Sequence, residues 1–68
     1  MNNIAKNIRH LRKIKTLTQE QLSEELGITR SKVGSYEEGR SDPPIYMLVK
    51  LSNYFKLPID VLIKNYYL

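Results

Sequence analysis

Two threonines, Thr18 and Thr29, each stand immediately before a short run with helical apolar spacing, and two glycines, Gly27 and Gly39, each close one. This punctuation leaves the middle of the chain little choice. A threonine hydroxyl at a helix N-cap accepts a hydrogen bond from a backbone N–H of the first turn, and Gln21, three positions after Thr18, returns a bond to the cap's own N–H. Glycine ends a helix because it takes the left-handed conformation without a Cβ penalty. Residues 18–38 therefore read as two short helices across a tight turn. The first turns Leu22 and Leu26 inward; the second, about residues 30–38, turns Val33 and Tyr36 inward. Helices that meet at a large angle need a small side chain where they touch, and Ser23 suits that place.

The flanks carry the same period. Ile4, Ile8 and Leu11, with Ala5 and Ile14 beside them, predict an amphipathic helix over about residues 3–15. Arg40 to Pro44 is a turn, since prolines remove donors and push the preceding residues out of the helical region. A fourth helix over about 45–55 is expected to face inward with Ile45, Leu48, Leu51, Ser52 and Phe55, leaving Tyr46 and Met47 outward. Pro58 ends it, and Ile59, Leu62 and Ile63 form a short fifth helix with Asp60 near its positive end. Pro44 and Pro58 stand where side-chain caps would ordinarily be, so irregular starts are expected for both helices. No segment alternates with period two, so the fold class is all-α, five helices in a single domain over residues 1–68.

Sixty-eight residues bury only about 60% of their unfolded surface, with no length for a second core. There is no cysteine and one histidine, His10, so no thiolate or histidine metal cluster can be built and no metal or cofactor is expected. No serine has a histidine and an acid placed to activate it, and an enzyme is not expected. No apolar run approaches the ~18 residues of a membrane span, and the opening MNNIAKNIRHLRK lacks a signal-peptide core; the expected location is cytoplasmic, with no membrane partner.

Eleven Lys and Arg against seven Asp and Glu give net +4. The charge is uneven: residues 1–17 hold Lys6, Arg9, Arg12, Lys13 and Lys15 without an acid, and a second basic group surrounds residue 30. Such clusters suit a polyanion, although a basic run alone is more often a solvated helix face. Placed beside the paired helices, it favours DNA, because a helix-turn-helix inserts the N-terminal part of its second helix into the major groove; the alternative is a plain helical bundle, where two helices joined by a glycine turn also occur. With Val33, Tyr36 and Glu37 inward, the opposite face carries Arg30, Ser31, Gly34 and Ser35. Arg30 can fork onto guanine O6 and N7, and the serine hydroxyls address several bases. The bland alternatives are a phosphate contact or a solvated residue for Arg30 and a tolerated surface glycine for Gly34. Gln19 at the start of helix 2, with Thr29, Lys32, Arg40 and Ser41, are the phosphate candidates.

The segment TQEQLSEELGITRSKVGSYEEGR, a proline loop and LVKLSNYFKLPIDVLI together resemble the lambda-repressor-like, Xre-type helix-turn-helix regulators of bacteria and phages. The resemblance covers about residues 4–64 and includes the signature Tyr36, Glu37, Gly39 and Arg40. It implies a compact five-helix domain whose helices 2 and 3 read double-stranded DNA, usually as a homodimer on a two-fold symmetric operator. The function it implies is a sequence-specific transcriptional regulator, most simply a repressor. It further implies an ion pair between Arg12 and Glu37, while Glu38 stands where many relatives have a neutral or basic residue. The apolar surplus at Tyr46, Met47, Val61, Tyr66 and Tyr67 suggests a dimer contact through helix 5 and the tail, with Val61, Tyr66 and Tyr67 as interface residues. The rival reading is a protein-interaction module, antitoxin-like, holding a protein partner on the helix 4 and 5 surface. Phage repressor, restriction-modification controller and antitoxin remain open as settings, as does the operator sequence.

Overall fold

Helices of eight residues are marginal in water by themselves, so the caps and the core must act together here. In the computed structural model, which describes residues 3–64, they do. Helix α2 (Gln19–Leu26) starts with a reciprocal cap: Thr18 Oγ1 accepts from the Gln21 backbone N–H at 3.0 Å, and Gln21 Oε1 accepts from the Thr18 N–H at 2.8 Å. Gly27, at φ +70°, closes it. Its last carbonyl, on Leu26, accepts from Lys50 Nζ at 2.7 Å. Helix α3 (Arg30–Glu37) opens with Thr29 Oγ1 accepting from the Lys32 N–H at 3.2 Å, and Gly39 turns the chain away at φ +74°.

Around this pair lie α1 (Ile4–Ile14), α4 (Ile45–Phe55) and α5 (Ile59–Lys64), with no strand among the described residues. α1 packs on α3 and α5, α2 on α3, and α4 on α5. Their shared core is Ile4, Ile8, Leu22, Leu26, Val33, Tyr36, Met47, Leu51 and Leu62. Each large aliphatic side chain buried there contributes on the order of 1.5–3 kcal/mol. Ser23 is buried at the α2 turn, its hydroxyl donating to Glu20 O at 2.6 Å. A small polar group thus enters the contact with its hydrogen bond made.

Four details of the sequence-based reading change. Ile14 is 63% exposed and Ile45 78% exposed, so neither joins the inward stripe. Met47, expected outside, is buried in the core. The starts of α4 and α5 are regular: Pro44 O accepts from Met47 and Leu48, and Pro58 O from Val61 and Leu62, at 2.9–3.1 Å. Proline suits these places because a residue just before or at a helix start needs no N–H bond and its fixed φ is already helix-compatible.

The fold also ties its first helix to its last. Asn7, fully buried on α1, donates from Nδ2 to Leu62 O at 2.6 Å. Asn3 donates its N–H to Ile63 O at 2.7 Å and its amide to Lys64 O at 2.9 Å. These bonds occupy carbonyls at the end of α5 that no further helical turn within α5 can reach.

Thr16, between α1 and α2, adopts φ +56°. For a β-branched residue the left-handed region is strained by roughly 1–2 kcal/mol. Thr16→Gly removes that strain but gives the unfolded chain more freedom and loses the Thr16 Oγ1 bond to Lys15 O. The expected net gain is about 0.5–1 kcal/mol in urea unfolding; a loss of stability would show that the turn is not strained.

Candidate nucleic-acid interface

Glu37 sits at the end of α3 with its side chain only 2% exposed, yet it is charged. Burial of a carboxylate is tolerated only when its oxygens are satisfied, and here three groups satisfy them. Arg12 of α1 donates from Nε to Oε2 at 2.6 Å and from Nη2 to Oε1 at 3.1 Å, while Gln19 Nε2 of α2 donates to Oε1 at 3.1 Å. Arg12 Nη1 also donates to Leu17 O at 2.8 Å, just before α2. One carboxylate therefore pins α3 to both α1 and the start of α2. The angle at which α3 leaves the body is fixed by directional bonds as well as by the apolar contacts of Val33 and Tyr36. Burial, and secondarily the charge of Tyr46 when it ionises, pushes the Tyr36 phenol above its ordinary value, so this support stays neutral through the physiological range.

Against this rigid backing, Thr29, Arg30, Ser31 and Lys32 are all exposed at the start of α3. Ser35 is half-buried, and its Oγ lies 2.8 Å from Ser41 Oγ. Arg40 is exposed and pairs with exposed Glu38, Nε to Oε1 at 2.8 Å. Gln19 is half-buried, its amide turned to Glu37. The structure thus brings Arg30, Ser31 and Lys32 onto one open turn, and Ser35, Arg40 and Ser41 together at the other end of α3.

Gly34 departs from the sequence-based reading. It is buried, and a Cβ there would meet Gln19 Oε1 at 3.8 Å and Nε2 at 4.0 Å. The physical reason is the Gln19 side chain, which crosses α3 to reach Glu37 and covers the glycine. These are ordinary contact distances, so Gly34→Ala should fit and raise stability by about 0.5–1 kcal/mol through its better helix propensity. Thermal unfolding checks this; a drop would mean that Gln19 cannot yield.

Sequence reasoning missed Asn7, Asn3 and Lys50. Asn7 carried a signal, a primary amide three residues after Ile4 and beside Ile8 on the apolar stripe. Val61, an expected dimer residue, is half-buried on α5, and Tyr66 and Tyr67 lie outside the described residues. Tyr54 packs edge-on against Phe55 with ring centroids 5.1 Å apart, and Lys15 Nζ lies 5.1 Å from its ring centre. Among the described residues no group of His, Asp or Glu is arranged to hold a metal, and no helix is long and apolar enough to cross a membrane.

Residues 5–68 match the family described as helix-turn-helix domain. The chain belongs to the helix-turn-helix domain family. Among curated relatives, the uncharacterized HTH-type transcriptional regulator YqaE of Bacillus subtilis (strain 168) is 37% identical over 61 residues, 90% of this chain and 53% of that protein. The chain spans about half the length of the first such relatives. In structure, the helix-turn-helix domain resembles a transcriptional regulator from Listeria innocua at TM-score 0.87 and 33% identity, covering 93% of this chain and 59% of that one. The biofilm master regulator SinR, solved in complex with DNA, matches at TM-score 0.77 and 28% identity, covering 87% and 95%. The five-helix, lambda-repressor-like fold is thereby shown.

Proposed function

We propose that this helix-turn-helix domain binds double-stranded DNA sequence-specifically through the first turn of α3, most simply as a repressor that occludes a promoter. The observation that carries this reading is the exposure of Arg30, Ser31 and Lys32 on a helix whose opposite side is locked through Glu37 to α1 and α2. A rigid helix with an open, cationic first turn is what major-groove reading requires. Arg30, Ser31 and Ser35 are the base-reading residues. Thr29, Lys32, Arg40 and Ser41 meet phosphates, and Gln19 contributes through the backbone N–H groups at the start of α2, since its amide serves Glu37. The chemistry is binding alone, with no cofactor or catalytic step, in the cytoplasm.

A two-fold operator places two reading helices about 34 Å apart. The longest extent of the domain is 25 Å, so two copies in contact suit that separation. We place the homodimer contact at the C-terminal region, with Val61, Tyr66 and Tyr67. One observation favours a second reading: Ile45, Tyr46 and Val49 leave an apolar patch exposed on α4, suited to a protein partner. Salt separates the two, because phosphate contacts weaken steeply with salt through counterion release and an apolar interface does not.

Arg30→Ala should cost roughly 1–3 kcal/mol of operator affinity and relax preference at one base pair per half-site. Lys32→Ala should weaken binding by a similar factor on all sequences. Competition between operator and scrambled duplexes checks both. Equal losses on the two duplexes for Arg30→Ala would assign Arg30 to phosphate.

A further inference from the structure

The far end of α3 presents its cation already engaged. Arg40 Nε lies 2.8 Å from Glu38 Oε1, with side chains 63% and 59% exposed, and the neighbouring Ser35 and Ser41 hydroxyls bond each other. Both side chains able to grip a phosphate here therefore have internal partners. A pair this exposed adds little to stability, since water and salt screen it and two long side chains must be ordered. Its larger effect is electrostatic: it sets a carboxylate where Arg40 would receive a phosphate.

Building on the DNA-binding reading, we propose that Glu38 is an electrostatic latch on Arg40, which the DNA backbone must displace before Arg40 contacts a phosphate. The guanidinium is a planar fork that binds carboxylate and phosphate in the same way, so the two anions compete for one donor set. Glu38 then lowers affinity for every duplex by a common factor. In a chain of net +4, this restrains sequence-independent binding and leaves stable occupancy to sites where the base contacts of α3 supply the difference.

The test is a fluorescence-anisotropy titration of wild type, Glu38→Gln, Arg40→Ala and the double variant, over a range of salt, on a duplex that wild type enriches from a random pool and on a scrambled duplex of the same length and composition. Glu38→Gln should tighten binding to both duplexes by about 3- to 5-fold at low salt, the scale of an exposed ion pair, and the gain should shrink as salt rises. In the Arg40→Ala background the same substitution should gain less than about 2-fold, because the latch has nothing to release. An equal gain in both backgrounds would mean that Glu38 repels DNA directly, and no gain would mean that it lies off the path of the DNA; either overturns the latch while wild-type binding upholds the DNA reading. Wild type that binds no duplex at low salt overturns the proposed function and the latch with it. Both residues are exposed, so unchanged thermal midpoints confirm that each variant is folded.

Discussion

Glu37→Ala is expected to lower the unfolding free energy by about 2–4 kcal/mol, a large share of what a domain of this size has to lose. The loss has two parts. Arg12, whose side chain is only 11% exposed, keeps its charge and loses both bonds to the carboxylate, and the Gln19 amide loses its acceptor. A stranded buried cation costs more than the pair contributed, because its desolvation is no longer offset. Arg12→Ala should cost a similar amount, and Arg12→Met with Glu37→Leu together less than the sum of the two alanine variants, since no unpaired charge remains. Urea unfolding of all four proteins measures this. Additive losses, or a Glu37→Ala loss under about 1 kcal/mol, would show that packing alone orients α3.

Asn7→Ala is expected to cost about 2–3 kcal/mol and to loosen α5 selectively. The substitution removes the donor to Leu62 O from a fully buried site and leaves a small void. α5 has six residues and one buried side chain, Leu62, so beyond that contact and the two Asn3 bonds at its end it has little to hold it. Hydrogen exchange should show amides of α5 losing protection while α2 and α3, closed by their own caps, keep theirs. Uniform loss of protection across all five helices would mean that Asn7 supports the whole core and not the α1–α5 junction.

What the sequence disclosed, and what it hid, follows from how local each signal is. Thr18, Gln21, Gly27 and Thr29 act within one turn of chain, and their pattern alone placed α2 and α3. α4 was different. Its residues are apolar nearly all round, Ile45, Tyr46, Met47, Leu48 and Val49 in succession, so spacing placed the helix but not its phase. Met47 is inside and Ile45 outside because the inward face runs through Met47, Leu48, Leu51 and Phe55, a choice made by α5 and the core. Arg12 and Glu37 are far apart in sequence and entered only through the family resemblance. The Gln19 bond to Glu37, and the burial of Gly34 beneath it, depend on the crossing of α2 over α3 and have no local signal. Arg30 and Lys32 were legible as exposed cations because inward Val33 and Tyr36 fix the rotation of a short helix.

The central claim is that the open turn of α3 reads duplex sequence, and selection of bound duplexes from a random pool tests it most directly. Wild type should enrich one motif with two-fold related half-sites about 10 base pairs apart, centre to centre, and Arg30→Ala should lose preference at one position in each half-site while keeping the rest. Recovery of no motif by wild type, or of the same motif at undiminished preference by Arg30→Ala, would contradict the account.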